Sequence, residues 1–119
     1  MFQAKLRHLV SPDADPLEDF RPNREFGILV QAIVGPADGP GEESFDFLLC
    51  TPEWFADNKL TQLSSVVSGR HILFVREFDF GALYRFIANY CDGCVGDTWK
   101  EVAEKVGRIG HWEFEDYRA

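Results

Sequence analysis

Three cysteines, three histidines and several clustered carboxylates are the side chains in this sequence that could do chemistry. Cys91 and Cys94 stand in Cys91-Asp92-Gly93-Cys94, the spacing of metal-ligand pairs and of redox dithiols. A structural zinc needs four ligands, and only Cys50 with His8, His71 or His111 could complete the set. A redox dithiol opens a helix after a strand, whereas this pair closes a helical run. The cysteines therefore read as buried small hydrophobes. The histidines are far apart in sequence, sit among apolar neighbours and have no Gly-x-Ser-x-Gly nucleophile to serve. Glu113 and Glu115 could act as an acid–base pair if a cleft separated them by about 5 to 9 Å. With nothing around them to form a cleft, they read as a solvated strand face. The Gly35–Gly41 loop lacks the Lys and Ser/Thr of a phosphate loop, and its acids would repel phosphate.

The charge balance is more telling. Twenty acidic residues against twelve basic ones give the 119-residue chain a net charge of −8. Such a surface disfavours nucleic acid and anionic membranes as partners and favours cationic proteins. The acids cluster as Asp13, Asp15, Glu18 and Asp19, as Asp38, Glu42, Glu43 and Asp46, and as Glu113, Glu115 and Asp116. Lys5, Arg7 and His8 break up any export signal, and no apolar run has the length of a membrane span. An odd cysteine count argues against a secreted disulfide framework. A cytoplasmic protein of one domain, 1–119, is expected.

Periodicity supplies the elements that would hold these residues. Phe2–Val10 alternates as a half-buried strand, and Phe26–Val34 is apolar on both faces, as a central strand is. The Gly- and Pro-rich turn at 35–41 leads to a third strand, Ser44–Cys50. Thr51-Pro52-Glu53 starts a short helix, whose Trp54 and Phe55 would cover the open end of the sheet. Arg70–Phe78 reads as a fourth strand. Asp79 caps a helix through Phe80, Leu83, Tyr84, Ile87 and Cys91, and Thr98 with Glu101 forms a capping box for another. Trp112-Glu113-Phe114-Glu115-Asp116-Tyr117 alternates as a closing strand, with Trp112, Phe114 and Asp116 on one face and Glu113, Glu115 and Tyr117 on the other. Trp99 and Trp112 are expected to pack together beneath the second main helix. The class is α+β: a mostly antiparallel sheet of about four or five strands with two main helices on one face.

The layout resembles the Immunity protein 8 family of bacterial polymorphic toxin systems. The resemblance rests on Ser11-Pro12-Asp13, on Phe45-Asp46-Phe47 leading into Thr51-Pro52-Glu53-Trp54, and on Arg76-Glu77-Phe78-Asp79. Thr98-Trp99 and the closing Trp112–Tyr117 segment complete the ordered series. It implies an α+β protein that is no enzyme and needs no cofactor, and that neutralises a cognate toxin. Many such toxins are nucleases, whose clefts must be basic to hold phosphate. Carboxylates placed against that cleft would give the inhibition. The hairpin tip offers Asp38, Glu42 and Glu43; Glu113 and Glu115 come second, and Asp46 and Glu53 could extend either patch. The alternative is a small acidic metal-binding or regulatory protein using Cys50, Cys91, Cys94 and a histidine.

Overall fold

A computed structural model describes residues 1–116. Phe2–Val10 forms β1, Gly27–Pro36 β2 and Glu43–Cys50 β3. Pro52–Asn58 is helix α1, Ile72–Phe74 is β4, and Phe80–Asp92 is helix α2. Val95–Gly96 is β5, Trp99–Val106 is helix α3, and His111–Trp112 is β6. The class is α+β, as expected, with a mixed sheet in the order β4-β3-β2-β1-β5 and β6 beside the start of β3.

Two strand expectations are corrected. The fourth strand shrinks from Arg70–Phe78 to three residues and runs parallel to β3. A crossover through α1 and the 59–71 segment returns the chain in the same direction, which a tight hairpin cannot do. The closing strand ends at Trp112, and residues 113–116 form a turn in which Asp116 has φ 61°. The predicted alternation therefore fails beyond Trp112. Tyr117, assigned to the acidic face, lies outside the described residues.

The sheet has two unlike faces. Ala4, Leu6, Leu9, Ile28, Val30, Ala32, Val34, Phe45, Phe47 and Leu49 point into the core with Leu83, Ile87 and Cys91 of α2 and Val102, Ala103 and Val106 of α3. The two main helices thus share one face. On the opposite face, α1 lies over the end of the sheet: Phe55 meets Phe74 edge to face at 5.4 Å, and a methyl on Gly27 would overlap the Trp54 indole. The covering role expected of Trp54 and Phe55 is the one they have.

The helix starts follow their sequences. Thr51 Oγ1 accepts from Trp54 N, Asp79 Oδ1 from Ala82 N and Thr98 Oγ1 from Glu101 N. Glu101 departs from a regular capping box by accepting from Asp97 N, one residue before the cap.

Candidate functional site

Glu43 opens β3, and its carboxylate turns toward the helices. Oε1 accepts the indole N–H of Trp99 at 2.9 Å and that of Trp112 at 2.8 Å. Trp99 is fixed at the first turn of α3 by the Thr98 cap, and Trp112 is stacked on Phe45 at 6.4 Å. The two tryptophans come together as expected, but through a carboxylate. One oxygen joins β3, α3 and β6 and satisfies the indole N–H groups of buried Trp112 and half-buried Trp99.

Beyond Glu43 the hairpin tip is held by Arg7, whose guanidinium donates to Pro36 O at 2.6 Å and Gly39 O at 2.8 Å. Arg7 falls at the irregularity in the β1–β2 register between Leu6 and His8, which re-aims its side chain toward the tip. Gly41 has φ 125°, a backbone conformation that disfavours a side chain, and a side chain on Gly35 would collide with the Gly41 carbonyl. On this braced turn Asp38 and Glu42 are exposed, and Glu42 lies 3.6 Å from His8.

The other carboxylates singled out from sequence are dispersed. Glu113 Oε1 accepts from Ser44 N at 2.8 Å, tying the terminal turn to β3. Glu115 pairs with Arg70 at 2.6 Å and lies 3.6 Å from His111. Half-buried Asp46 faces Gln31 on the neighbouring strand at 3.4 Å. Glu53 is exposed on the first turn of α1, at the far end of β3 from the hairpin tip.

Glu53 borders the cleft of about 970 Å³ that sequence reasoning missed. One wall is the segment Glu18–Glu25 and the other is Arg76–Gly81, with Thr51 and Glu53 between them. Phe20, Phe78 and Phe80 line it, and buried Phe26 backs the first two. The Phe20, Phe26 and Phe78 rings meet edge to face, with centroids 5.4, 5.1 and 6.0 Å apart. Phe26 is buried, while Phe20 and Phe78 are half-buried. The rim holds Glu18, Glu25, Glu53, Glu77 and Asp79 with Arg21, Arg24 and Arg76. Aromatic residues interleaved with charge at Arg76-Glu77-Phe78-Asp79 were the available signal, but the strand reading absorbed them. A second recess, about 1100 Å³, lies beside Arg70, Trp99, Lys100, Arg108 and Trp112.

The thiols do not converge. Cys91 and Cys94 lie in the core beneath α2, whereas Cys50 is buried on the other face under α1. Burial, with help from Cys94 and Asp92, pushes the Cys91 thiol up to about 12. Burial also raises Cys50 against the pull of Lys59, and Cys94 against Arg108 and Lys105. Protonated thiols make poor nucleophiles and poor metal ligands. His71 and His111 come within 5.8 Å of each other, yet His71 Nε2 is engaged with Gly107 O at 2.7 Å. Among the described residues no three His, Cys, Asp or Glu side chains are grouped to hold a metal ion. No helix among them is long and apolar enough to cross a membrane.

No curated protein and no solved structure matches this chain. A family model does, that of Immunity protein 8, and it spans residues 4–117, from the first strand through the tryptophan-bound terminal turn. On that match over nearly its whole length, the chain belongs to the Immunity protein 8 family.

Proposed function

We propose that this protein binds a cognate toxin domain and neutralises it through an acidic surface, with no chemistry of its own. Membership of the Immunity protein 8 family across residues 4–117 is the observation that carries this reading. The net charge of −8 supports a basic partner, such as a nuclease whose substrate cleft holds phosphate. Opposed fields speed encounter, and a few desolvated anchors set how slowly the complex parts.

Among the seven proposed contact residues, Asp38, Glu42 and Glu53 are the best supplied for a direct role. All three are exposed, Asp38 and Glu53 have no polar partner for their side chains among the described residues, and the His8–Glu42 pair is too solvated to hold Glu42 back. Asp46 extends the tip patch along β3. Glu43, Glu113 and Glu115 contribute by fixing the tip and the terminal turn against the helices and by adding to the local negative potential.

The test is rescue of growth in cells expressing the toxin domain encoded by the gene immediately upstream. The unaltered chain restores growth, and the Asp38→Lys/Glu42→Lys variant weakens rescue. A chain that neither binds that domain at low salt nor protects the cells would remove the reading.

A further inference from the structure

The cleft between Glu18–Glu25 and Arg76–Gly81 has a use that the hairpin tip does not explain. It is assembled from three stretches far apart in the chain, and two of them carry segments of the ordered series noted in the sequence, Thr51–Trp54 and Arg76–Asp79. Some of its charges have internal duties. Asp79 caps α2, and the Arg21 guanidinium donates to Glu18 O and Phe20 O. The side chains of Glu25, Glu53 and Glu77, like those of Arg24 and Arg76, have no polar partner among the described residues. Carboxylates thus outnumber guanidiniums among the uncommitted groups, and they stand around half-buried Phe20 and Phe78.

An aromatic lining with a carboxylate rim is suited to one class of side chain. A guanidinium or ammonium group gains from the ring faces and from the carboxylates together, and its aliphatic stem covers apolar surface. A neutral apolar side chain would use the lining but leave the rim carboxylates desolvated without compensation. An acidic one would meet more carboxylates than arginines.

We propose that this cleft receives a basic segment of the toxin, with an Arg or Lys side chain set against Phe20 and Phe78 and ringed by Glu25, Glu53 and Glu77. The proposal rests on the immunity reading and adds to it a contact at the opposite end of β3 from the hairpin tip. Arg24 and Arg76 line the same cleft but take no part in that contact.

Binding of a catalytically inactivated form of the upstream-encoded toxin domain, measured by calorimetry, tests it. Glu25→Lys/Glu77→Lys alters only exposed side chains and is expected to weaken binding by about 100-fold, the scale of two lost close charge pairs. Arg24→Glu/Arg76→Glu is expected to bind no more weakly than the unaltered protein. Circular dichroism and melting temperature accompany each variant, so that a loss of fold is not taken for a loss of contact. Unchanged affinity in the glutamate variant, with loss confined to Asp38→Lys/Glu42→Lys, overturns the cleft proposal and leaves the immunity reading standing. Weakening by the arginine variant alone overturns it as well, since the segment received would then be acidic. Failure of the unaltered protein to bind removes both.

Discussion

Glu43 has the sequence of a surface acid and the duty of a core residue. Its neighbours Asp38 and Glu42 carry the same charge and face solvent, and nothing in the local sequence separates the three. The difference arises 56 and 69 residues downstream, where Trp99 and Trp112 supply indole donors to Glu43 Oε1. Replacing Glu43 by Ala leaves two indole N–H groups without an acceptor, at about 1 to 3 kcal/mol for each one kept from water. Chemical denaturation of Glu43→Ala should register a loss of about 2 kcal/mol or more. Glu43→Gln, which keeps one acceptor oxygen, should fall between. Equal stability of all three proteins would mean that water replaces the carboxylate at no cost. The Cys91 thiol gives a second prediction at this scale, and its sign follows from burial. Its usual value of 9.0 is raised to about 12 in the folded protein, so the native state keeps a proton that the unfolded chain releases. The resulting stability is complete below about pH 9 and declines as pH rises toward 12, by up to about 1.4 kcal/mol per pH unit. Urea titrations at pH 8 and pH 10 should show a steeper decline for the unaltered protein than for Cys91→Ala.

Helix positions were legible because their signals are local. Thr51-Pro52, Asp79 and Thr98 each place a cap within three residues of the N–H it serves. Removing one should cost about 1 kcal/mol, and Asp79→Ala should lower the melting temperature by several degrees without changing the circular dichroism spectrum. Strand extents were legible only where a neighbour agreed with the pattern. β1, β2 and β3 pair along most of their lengths, so their extents were legible. The irregularity between Leu6 and His8, however, buries Leu9 and leaves His8 and Val10 exposed. Even alternation from Phe2 would place His8 and Val10 on the face of Ala4 and Leu6. The apolar run from Arg70 to Phe78 met β3 for only three residues, since the bottom of β3 gives way to α1 and Phe78 turns into the cleft. The Trp112 run stops where Glu115 N bonds back to Trp112 O, closing a turn that sets Glu115 against Arg70. α1 on the outer face depends on a glycine in the strand beneath it. Gly27→Ala should displace Trp54 and cost about 1 to 3 kcal/mol, seen as a shift in tryptophan emission together with a lower denaturation midpoint.

Over the whole molecule, the acidic excess predicts how a complex forms rather than where. If a basic toxin is the partner, association should slow as salt rises from 0.05 to 0.5 M, by about tenfold or more, while dissociation changes little. Stopped-flow mixing at the two salt concentrations separates these rates, and a salt-independent association rate would argue for an apolar contact. Of the candidate site, the hairpin tip could be read from sequence because its turn chemistry and its acids are contiguous. The cleft could not, because Glu25, Glu53 and Glu77 share a rim only once three separate segments are folded together.

The register irregularity at Arg7 bears on how readily a second copy could add to the sheet. β5 pairs with β1 only at Phe2 and Gln3, so from Lys5 to Val10 the outer margin of β1 has no neighbouring strand among the described residues. A straight, uncharged ribbon of that length would be an invitation to self-association. The kink, with Lys5, Arg7 and His8 spread along it, denies a second copy the flat template it would need. Deleting Arg7 to restore even pairing with β2 should therefore raise self-association, visible as earlier elution and stronger light scatter than for the unaltered protein.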